Sequence, residues 1–144
     1  MADEQNYKNH GRVVPAFHGG VFLALLVNLV WTFYRLVGGF TGDRIVNAIL
    51  AVGLLVMAGS LRAQILTVQD RVIRLEMRHR FRDLLPADLF AQAARLPVKQ
   101  IVALRFASDA ELPQLVRDVL GGSVDSGKAI KMKIRDWQGD HLRA

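Results

Sequence analysis

Two long apolar segments occupy the first half of the chain and constrain its fold more than any other feature. After Arg12, 22 consecutive residues contain no Asp, Glu, Lys or Arg, and this run ends at Arg35. A second uncharged run of 17 residues covers 45–61 and ends at Arg62. A helix needs about 20 mostly apolar residues to cross the hydrocarbon core of a bilayer, so the first run is long enough. The second is long enough if Arg62 extends its charge to the interface and the apolar stretch continues to Val68.

The short connection between the two runs predicts a helical hairpin in a membrane. Three glycines within residues 38–42 mark a turn, so we expect spans at about 15–37 and 44–68, within a hairpin region 15–69. Two successive runs of this kind leave no polar face for water, which favours membrane spans over a buried helical pair in a soluble protein. The predicted class is an all-α membrane protein with a two-span hairpin.

Charge is distributed unevenly and predicts the orientation of the hairpin. The 19 Lys and Arg outweigh the 13 Asp and Glu, for a net charge of +6. Lys8 and Arg12 precede the first span, five arginines lie within 71–82 after the second, and the connecting turn has two arginines beside Asp43. Cytoplasmic loops carry the excess of Lys and Arg, so we expect both termini, including the leader 1–14, in the cytoplasm.

Few polar side chains lie inside the spans. Asn28, Thr32 and Arg35 share one face of the first span because they are spaced i, i+4, i+7, and Asn47 lies near the start of the second. A polar group in lipid is costly unless it faces protein or water. We therefore interpret Asn28, Thr32 and Asn47 as candidate packing residues that form an interhelical hydrogen bond within the hairpin or with a partner helix.

An apolar series with alternating steps of four and three residues continues beyond the second span. No Gly or Pro interrupts 60–85, so we expect the second helix to extend into the cytoplasm over 70–85. A repeat of 3.5 residues is what a partner helix packs against, so the series indicates coiled-coil-like pairing with a protein partner or a second copy. The candidate seam consists of Leu61, Ile65, Val68, Val72 and Leu75.

An arginine stripe lies on the face beside this seam. Clusters of Lys and Arg just cytoplasmic of a span attract anionic lipid, at about 1 kcal/mol each. The stripe is therefore a candidate site for anionic lipid or for an acidic protein partner. Nucleic acid is not expected, because no groove-reading motif or basic arm with interleaved aromatic residues is present. The stripe consists of Arg71, Arg74, Arg78 and Arg82.

Prolines and glycines divide the tail, 86–144, into four short segments that predict a small cytosolic helical domain. Residues 86–96 have high helix propensity. Residues 98–106 fit either a helix or a strand, and the apolar spacing favours a helix. The third helix follows a capping-box pattern formed by Ser108 and Glu111. The fourth is expected over 125–138, and the leader either folds back against the tail or is disordered.

No catalytic, metal-binding or cofactor-binding arrangement stands out. The frame Gly122-Ser-Val-Asp-Ser-Gly127-Lys128 resembles a phosphate-binding loop, but Ala129 stands where that motif needs Ser or Thr, so no nucleotide is expected. The four histidines lack the i, i+4 spacing of a helical metal pair. The expected function is a non-enzymatic structural subunit or membrane-anchored interaction module. The alternatives are an anionic-lipid-binding protein that organises the membrane and, third, a small transporter or channel component.

Three segments resemble a known family. They are the start Gln5-Asn-Tyr-Lys-Asn-His10, the string Leu104-Arg-Phe-Ala-Ser-Asp-Ala-Glu-Leu-Pro113 and the ending Ile130-Lys-Met-Lys-Ile-Arg-Asp-Trp137. They are similar to a family of small bacterial two-span membrane proteins of unknown function, over nearly the whole chain. The resemblance implies a bacterial inner-membrane protein with a helical cytosolic tail, and it carries over no catalytic residues.

Overall fold

The computed structural model describes residues 5–7, 9, 11 and 14–140, and over these residues the chain is all-helical, as expected. Its one departure from helix and loop is an isolated antiparallel bridge between Ala107 and Trp137. The elements are a π-helical turn (Ala16–Val21), α1 (Phe22–Val37), α2 (Gly42–Leu84), α3 (Ala87–Ala93), α4 (Val98–Leu104), α5 (Leu112–Leu120) and α6 (Gly127–Lys133).

The described residues form two compact units. One unit consists of residues 14–66, and the other combines residues 5–11 with 67–140. Helix α2 is unbroken from Gly42 to Leu84 and contributes to both. This continuity agrees with the absence of Gly and Pro from 60–85, since nothing in that stretch interrupts the backbone hydrogen bonds of a helix.

The first unit is an apolar hairpin. Ala16–Val37 and Gly42–Leu84 are each long and apolar enough to cross a membrane. The buried side chains of this unit are small, whereas most of its large apolar side chains are exposed. The buried ones are Thr32, Ala48, Ala51 and Ala58.

The second unit has an apolar core of its own. Ile73, Met77 and Phe81 are spaced four residues apart on α2 and form one buried face. The short helices complete the core, because α6 packs on α4 and α5 packs on α3 and α4. The side chains that are fully buried in this unit include Phe81, Ile101, Leu104, Phe106, Leu112, Val116 and Ile130.

Gly127 allows α6 to start directly against α4. A Cβ atom at this position would lie 3.1 Å from the carbonyl oxygen of Lys99. The Gly-Lys pair that resembled a phosphate-binding loop is thus a helix start packed on a neighbouring backbone. The Ser126 hydroxyl caps it by accepting a hydrogen bond from the amide of Ala129 at 3.1 Å. Ser is a favoured N-cap residue because its hydroxyl satisfies one of the free amides of the first turn.

The C-terminal segment differs from its prediction. The helix expected over 125–138 ends at Lys133, and the chain then bends at 135–136 before the bridge at Trp137. Two hydrogen bonds flank the bridge, from the amide of Ser108 to Asp136 O (3.2 Å) and from that of Gln138 to Phe106 O (2.7 Å). The helical prediction was wrong here because pairing with a distant segment satisfies these backbone groups.

Two other predictions concern local structure. Residues 98–104 are the helix α4, so the choice between helix and strand is decided in favour of helix. The capping box is not formed, because α5 begins at Leu112 without a side-chain cap and the Ser108 hydroxyl is buried without a hydrogen bond among the described residues.

Candidate functional site

A polar cleft of about 1030 Å³ separates α1 from the start of α2, and the three predicted packing residues line it. The Thr32 hydroxyl donates a hydrogen bond to Asn28 O (2.7 Å), and the Asn47 amide donates one to Asp43 O (2.8 Å). Each bond therefore stays within its own helix. At the closed end of the hairpin, Arg44 Nη1 donates to Gly39 O at 2.9 Å and holds the turn.

An apolar groove of about 660 Å³ lies between the beginning of α1 and the middle of α2. We call it the Arg62 groove. Phe17 and Leu25 line one side, and Leu54 and Leu61 line the other. The guanidinium of Arg62 lies 6.0 Å from the centroid of the Phe17 ring, within the range of a cation–π contact.

The π-helical turn shapes one wall of this groove. Its defining hydrogen bond runs from the amide of Phe22 to Phe17 O, one residue farther along the chain than in an α-helix. A turn closed in this way holds more than four residues, so Phe17 and Val21, four apart, stay on one side of the helix. Such turns are rare and occur frequently at functional sites.

The predicted arginine stripe divides into two parts. Arg71, Arg74 and Arg78 line a shallow groove of about 500 Å³ with three apolar residues of the predicted seam, whereas Arg82 is exposed and does not line it. The Nε atom of Arg74 is buried and has no hydrogen-bond partner among the described residues. We call this surface the arginine face; its apolar members are Val68, Val72 and Leu75.

The seam itself is exposed in the single chain. Each of its five members has roughly half of its side-chain surface accessible, from 48% to 59%. The same helix buries Ile73, Met77 and Phe81, so the core of the second unit uses a different face of α2. The seam members are Leu61, Ile65, Val68, Val72 and Leu75.

Arg80 has a role that sequence reasoning missed. Its Nε lies 2.7 Å from Asp109 Oδ1, its Nη1 donates to Arg105 O (3.1 Å), and its Nη2 donates to Ala107 O (2.5 Å). One guanidinium thus joins α2 to the loop before α5. A signal existed, since Arg80 lies three residues after Met77 and therefore on the buried face, away from the stripe.

Arg105 joins the loop before α5 to the end of the described chain. Its Nε lies 3.0 Å from Asp140 Oδ2, and its guanidinium lies 4.3 Å from the centre of the Phe106 ring. That ring stacks on Trp137, with centroids 4.4 Å apart. The side chain of Arg105 is only 8% exposed, so this ion pair is largely shielded from water.

The leader contacts the C-terminal segment. Gln5 Nε2 donates to Asp140 O (3.4 Å), and the amide of Asp140 donates to Gln5 Oε1 (2.8 Å). The alternative in which the leader folds back against the tail therefore holds at Gln5. The predicted flanking charges Lys8 and Arg12, and His10 of the resembling segment, lie outside the described residues.

One carboxylate has a perturbed acidity. The pKa of Asp118 lies below its ordinary value because Lys133 donates a hydrogen bond to it, with a further contribution from Gln114. Lys133 Nζ lies 2.5 Å from Asp118 Oδ2 and so joins α6 to α5. Within the described residues, no group of three His, Cys, Asp or Glu could hold a metal ion.

Comparison with known proteins identifies a family. The model of a family of unknown function, DUF6526, matches residues 1–144. Neither the curated proteins nor the solved structures yield a match.

Proposed function

Because the chain belongs to DUF6526, a family of unknown function, over residues 1–144, we propose its role from its own structure. It is a non-enzymatic integral membrane protein whose hairpin anchors a small helical domain at the membrane surface. That domain engages a protein partner through the arginine face. As the family resemblance implies, the membrane is the inner membrane of a bacterium.

The observation that carries this proposal is the distribution of exposed apolar side chains. Large apolar residues are exposed at 24 positions between Val21 and Leu75, whereas among the described residues from 76 to 140 only Met132 is. An apolar surface of this extent needs a cover, because each square ångström left in water costs roughly 25 cal/mol. Lipid supplies that cover along both hairpin helices.

The contact between Gln5 and Asp140 supports two spans with both termini on one side. These residues precede the first candidate span and follow the second, and they are hydrogen-bonded to each other. Only an even number of crossings between them is compatible with this contact. The excess of arginine after the second span favours the cytoplasm as that side.

The position of the arginine face along α2 favours a protein partner over lipid. The helix rises about 1.5 Å per residue, so Arg78 lies about 15 Å along the axis beyond Val68, the expected end of the second span. The headgroup layer on one side of a bilayer is only about 5–8 Å thick. Arg71 reaches anionic headgroups, which supports lipid binding as the second candidate function, but Arg78 lies beyond them.

The chemistry of the face indicates an acidic, amphipathic helix as the partner. Val72 and Leu75 offer an apolar centre, and Arg71, Arg74 and Arg78 surround it with positive charge. Asp or Glu side chains on a partner helix would pair with these guanidinium groups, which bind carboxylates in a bidentate manner.

Site-directed labelling tests the membrane anchor. The chain has no cysteine, so single cysteines can be introduced at Phe40 in the turn and at Asp125 in the tail. We expect a membrane-impermeant maleimide to label Phe40→Cys from outside spheroplasts and Asp125→Cys only after lysis. Labelling of both from the same side, or release of the protein from membranes by carbonate, would contradict the anchor.

Photo-crosslinking from position 72 in native membranes tests the partner. We expect one discrete adduct that is lost when Arg71, Arg74 and Arg78 are changed to Gln together. The matched control is Arg82→Gln, which removes the same charge from an exposed position that does not line the groove. An adduct that survives the triple change, or a yield that depends only on the anionic lipid content of nanodiscs, would contradict a protein partner.

A further inference from the structure

The Arg62 groove combines an apolar wall with one cation. The side chains that line it come from two antiparallel helical segments, and all but one are apolar. Among the described residues that line the groove, none is Asp or Glu, and Arg62 forms no salt bridge with any described residue. Among the described residues its guanidinium therefore has no counter-charge, and it lies over the face of Phe17.

The position of Arg62 along α2 matches the depth of a phosphate. Arg62 lies 17 residues after Ile45, or about 26 Å along the helix axis. The hydrocarbon core is about 30 Å thick. When Ile45 lies at one edge of the core, Arg62 lies near the other edge, where a long cationic side chain reaches the headgroups.

We propose that the Arg62 groove binds one anionic phospholipid, with an acyl chain between Phe17, Leu25, Leu54 and Leu61 and the phosphate on the Arg62 guanidinium. This inference rests on the proposed insertion of the hairpin into a membrane. The Arg62 groove is a different surface from the arginine face. Both helices of the hairpin line the groove, whereas the arginine face belongs to the later part of α2 alone.

Three features of the groove carry the assignment. Its volume of about 660 Å³ lies within the range of small-molecule pockets, about 300–1,000 Å³. Its wall offers an acyl chain apolar contact along its length. The planar guanidinium binds phosphate oxygens in a bidentate manner, and no acidic side chain stands among the described residues that line the groove. A zwitterionic lipid such as phosphatidylcholine also carries a phosphate, but its own choline cation offsets that charge, so it would neutralise Arg62 less well than phosphatidylglycerol.

Native mass spectrometry of the full-length protein tests the proposal. The protein is released from nanodiscs that contain either phosphatidylglycerol or phosphatidylcholine as the only added lipid. We expect one phosphatidylglycerol to remain bound at low lipid, with phosphatidylcholine retained about tenfold less, which corresponds to about 1.4 kcal/mol. Arg62→Leu should remove this preference, whereas Arg82→Leu should keep it.

A second variant tests the acyl-chain site independently of charge. Leu61 is half exposed and lines the groove, so Leu61→Trp fills the groove without disturbing a buried position. Leu66→Trp is the matched control, because Leu66 is exposed on the same helix and does not line the groove. We expect Leu61→Trp to lower retention of phosphatidylglycerol about tenfold and Leu66→Trp to leave it unchanged.

The outcomes separate this proposal from the proposed function. Equal retention of the two lipids, unchanged retention in Arg62→Leu, or binding of inorganic phosphate in place of the lipid would overturn the lipid site. Membrane extraction of the same protein is measured in parallel. If the protein resists carbonate extraction but retains no lipid, only the lipid site is contradicted. If carbonate releases the protein from the membrane, the membrane anchor is contradicted as well.

Discussion

Gln5 and Asp140 are 135 residues apart in the sequence and are joined by two hydrogen bonds, one in each direction between the Gln5 side chain and the Asp140 backbone. Asp140 also pairs with Arg105 through its carboxylate. A single residue thus holds both the leader and the loop before α5 to the end of the described chain.

The first prediction concerns this contact. In the cysteine-free chain, Gln5→Cys combined with Asp140→Cys should give an intramolecular crosslink with a short bis-maleimide in intact membranes, because the two positions are in contact. The crosslink is detected by mass spectrometry of the tryptic peptides. Gln5→Cys with Phe40→Cys is the control and should give none, since Phe40 lies in the turn of the hairpin. A crosslink in the control pair alone would contradict the proposed topology.

Arg80 provides the second prediction. Arg80→Ala removes three charge-assisted contacts from one partly buried guanidinium, so we expect the free energy of opening of this region to fall by about 2–3 kcal/mol. Native-state hydrogen exchange at the amides of Ser108 and Gln138, which flank the bridge, measures this change. Arg82→Ala removes an exposed arginine two residues away and should change the exchange little.

A change at Asp109, the acidic partner of Arg80, should lower the free energy of opening less than Arg80→Ala does. Asp109 is 67% exposed, so Asp109→Ala should cost less than about 1 kcal/mol, as for other solvated ion pairs. An equal cost for the changes at Arg80 and Asp109 would show that the ion pair dominates and that the bonds to the carbonyl oxygens contribute little.

Gly127 provides the third prediction. Gly127→Ala places a methyl group 3.1 Å from Lys99 O, so α6 must move away from α4. Overpacking of this kind costs about 1–3 kcal/mol, and we expect a lower midpoint of thermal unfolding for the full-length protein in mild detergent. Gly59→Ala is the control, since nothing lies within 4 Å of its added methyl group and helix propensity favours Ala. An unchanged midpoint in Gly127→Ala would mean that the two helices are not held this closely.

The fourth prediction is a dependence of stability on pH. The pKa of Asp118 is lower in the folded protein because Lys133 donates a hydrogen bond to its carboxylate. A depressed pKa contributes stability above the unfolded value, and that stability is lost as the pH falls through the folded value. The contact between α5 and α6 should therefore weaken in acid, below the ordinary pKa of 3.8.

Thermal unfolding of the full-length protein between about pH 2.5 and 6 measures this dependence, within the acid range where carboxylates titrate. Asp118→Asn should be less stable than the wild type at pH 6 and should lose less stability on acidification. Asp125→Asn is the control, because the exposed Asp125 forms no ion pair within the described part of the chain. Parallel pH profiles for Asp118→Asn and the wild type would refute the assignment.

The sequence predicted the elements whose stability is local. The apolar runs marked the two long helices, and the absence of Gly and Pro from 60–85 marked the continuity of α2. Pro86 and Pro97 immediately precede α3 and α4 in the structure. These signals act over a few residues, because proline and glycine determine which backbone angles and hydrogen bonds are available at their own positions.

The predicted sites illustrate the limit of such signals. Spacing grouped Arg71, Arg74, Arg78 and Arg82 in one stripe, and in the structure the first three line one groove that does not include Arg82. Arg82 follows Arg71 by 11 residues, which is about three helical turns, so the two lie at nearly the same angle around α2. Spacing alone therefore does not show that the groove ends before Arg82. The Arg62 groove was not predicted, since its two sides come from different helices.

The amino-acid sequence by itself determined that this chain has two long apolar helices, a continuous α2 and a charged helical tail, because periodicity and helix breakers act locally. Only the tertiary structure decided that Trp137 lies in a β-bridge rather than in a helix and that Arg80 joins α2 to the loop before α5. It also decided that Gln5 meets Asp140. These contacts join residues that are distant in sequence. A backbone group or a guanidinium removed from water must form hydrogen bonds, and the packing of the whole unit determines which partners are within reach.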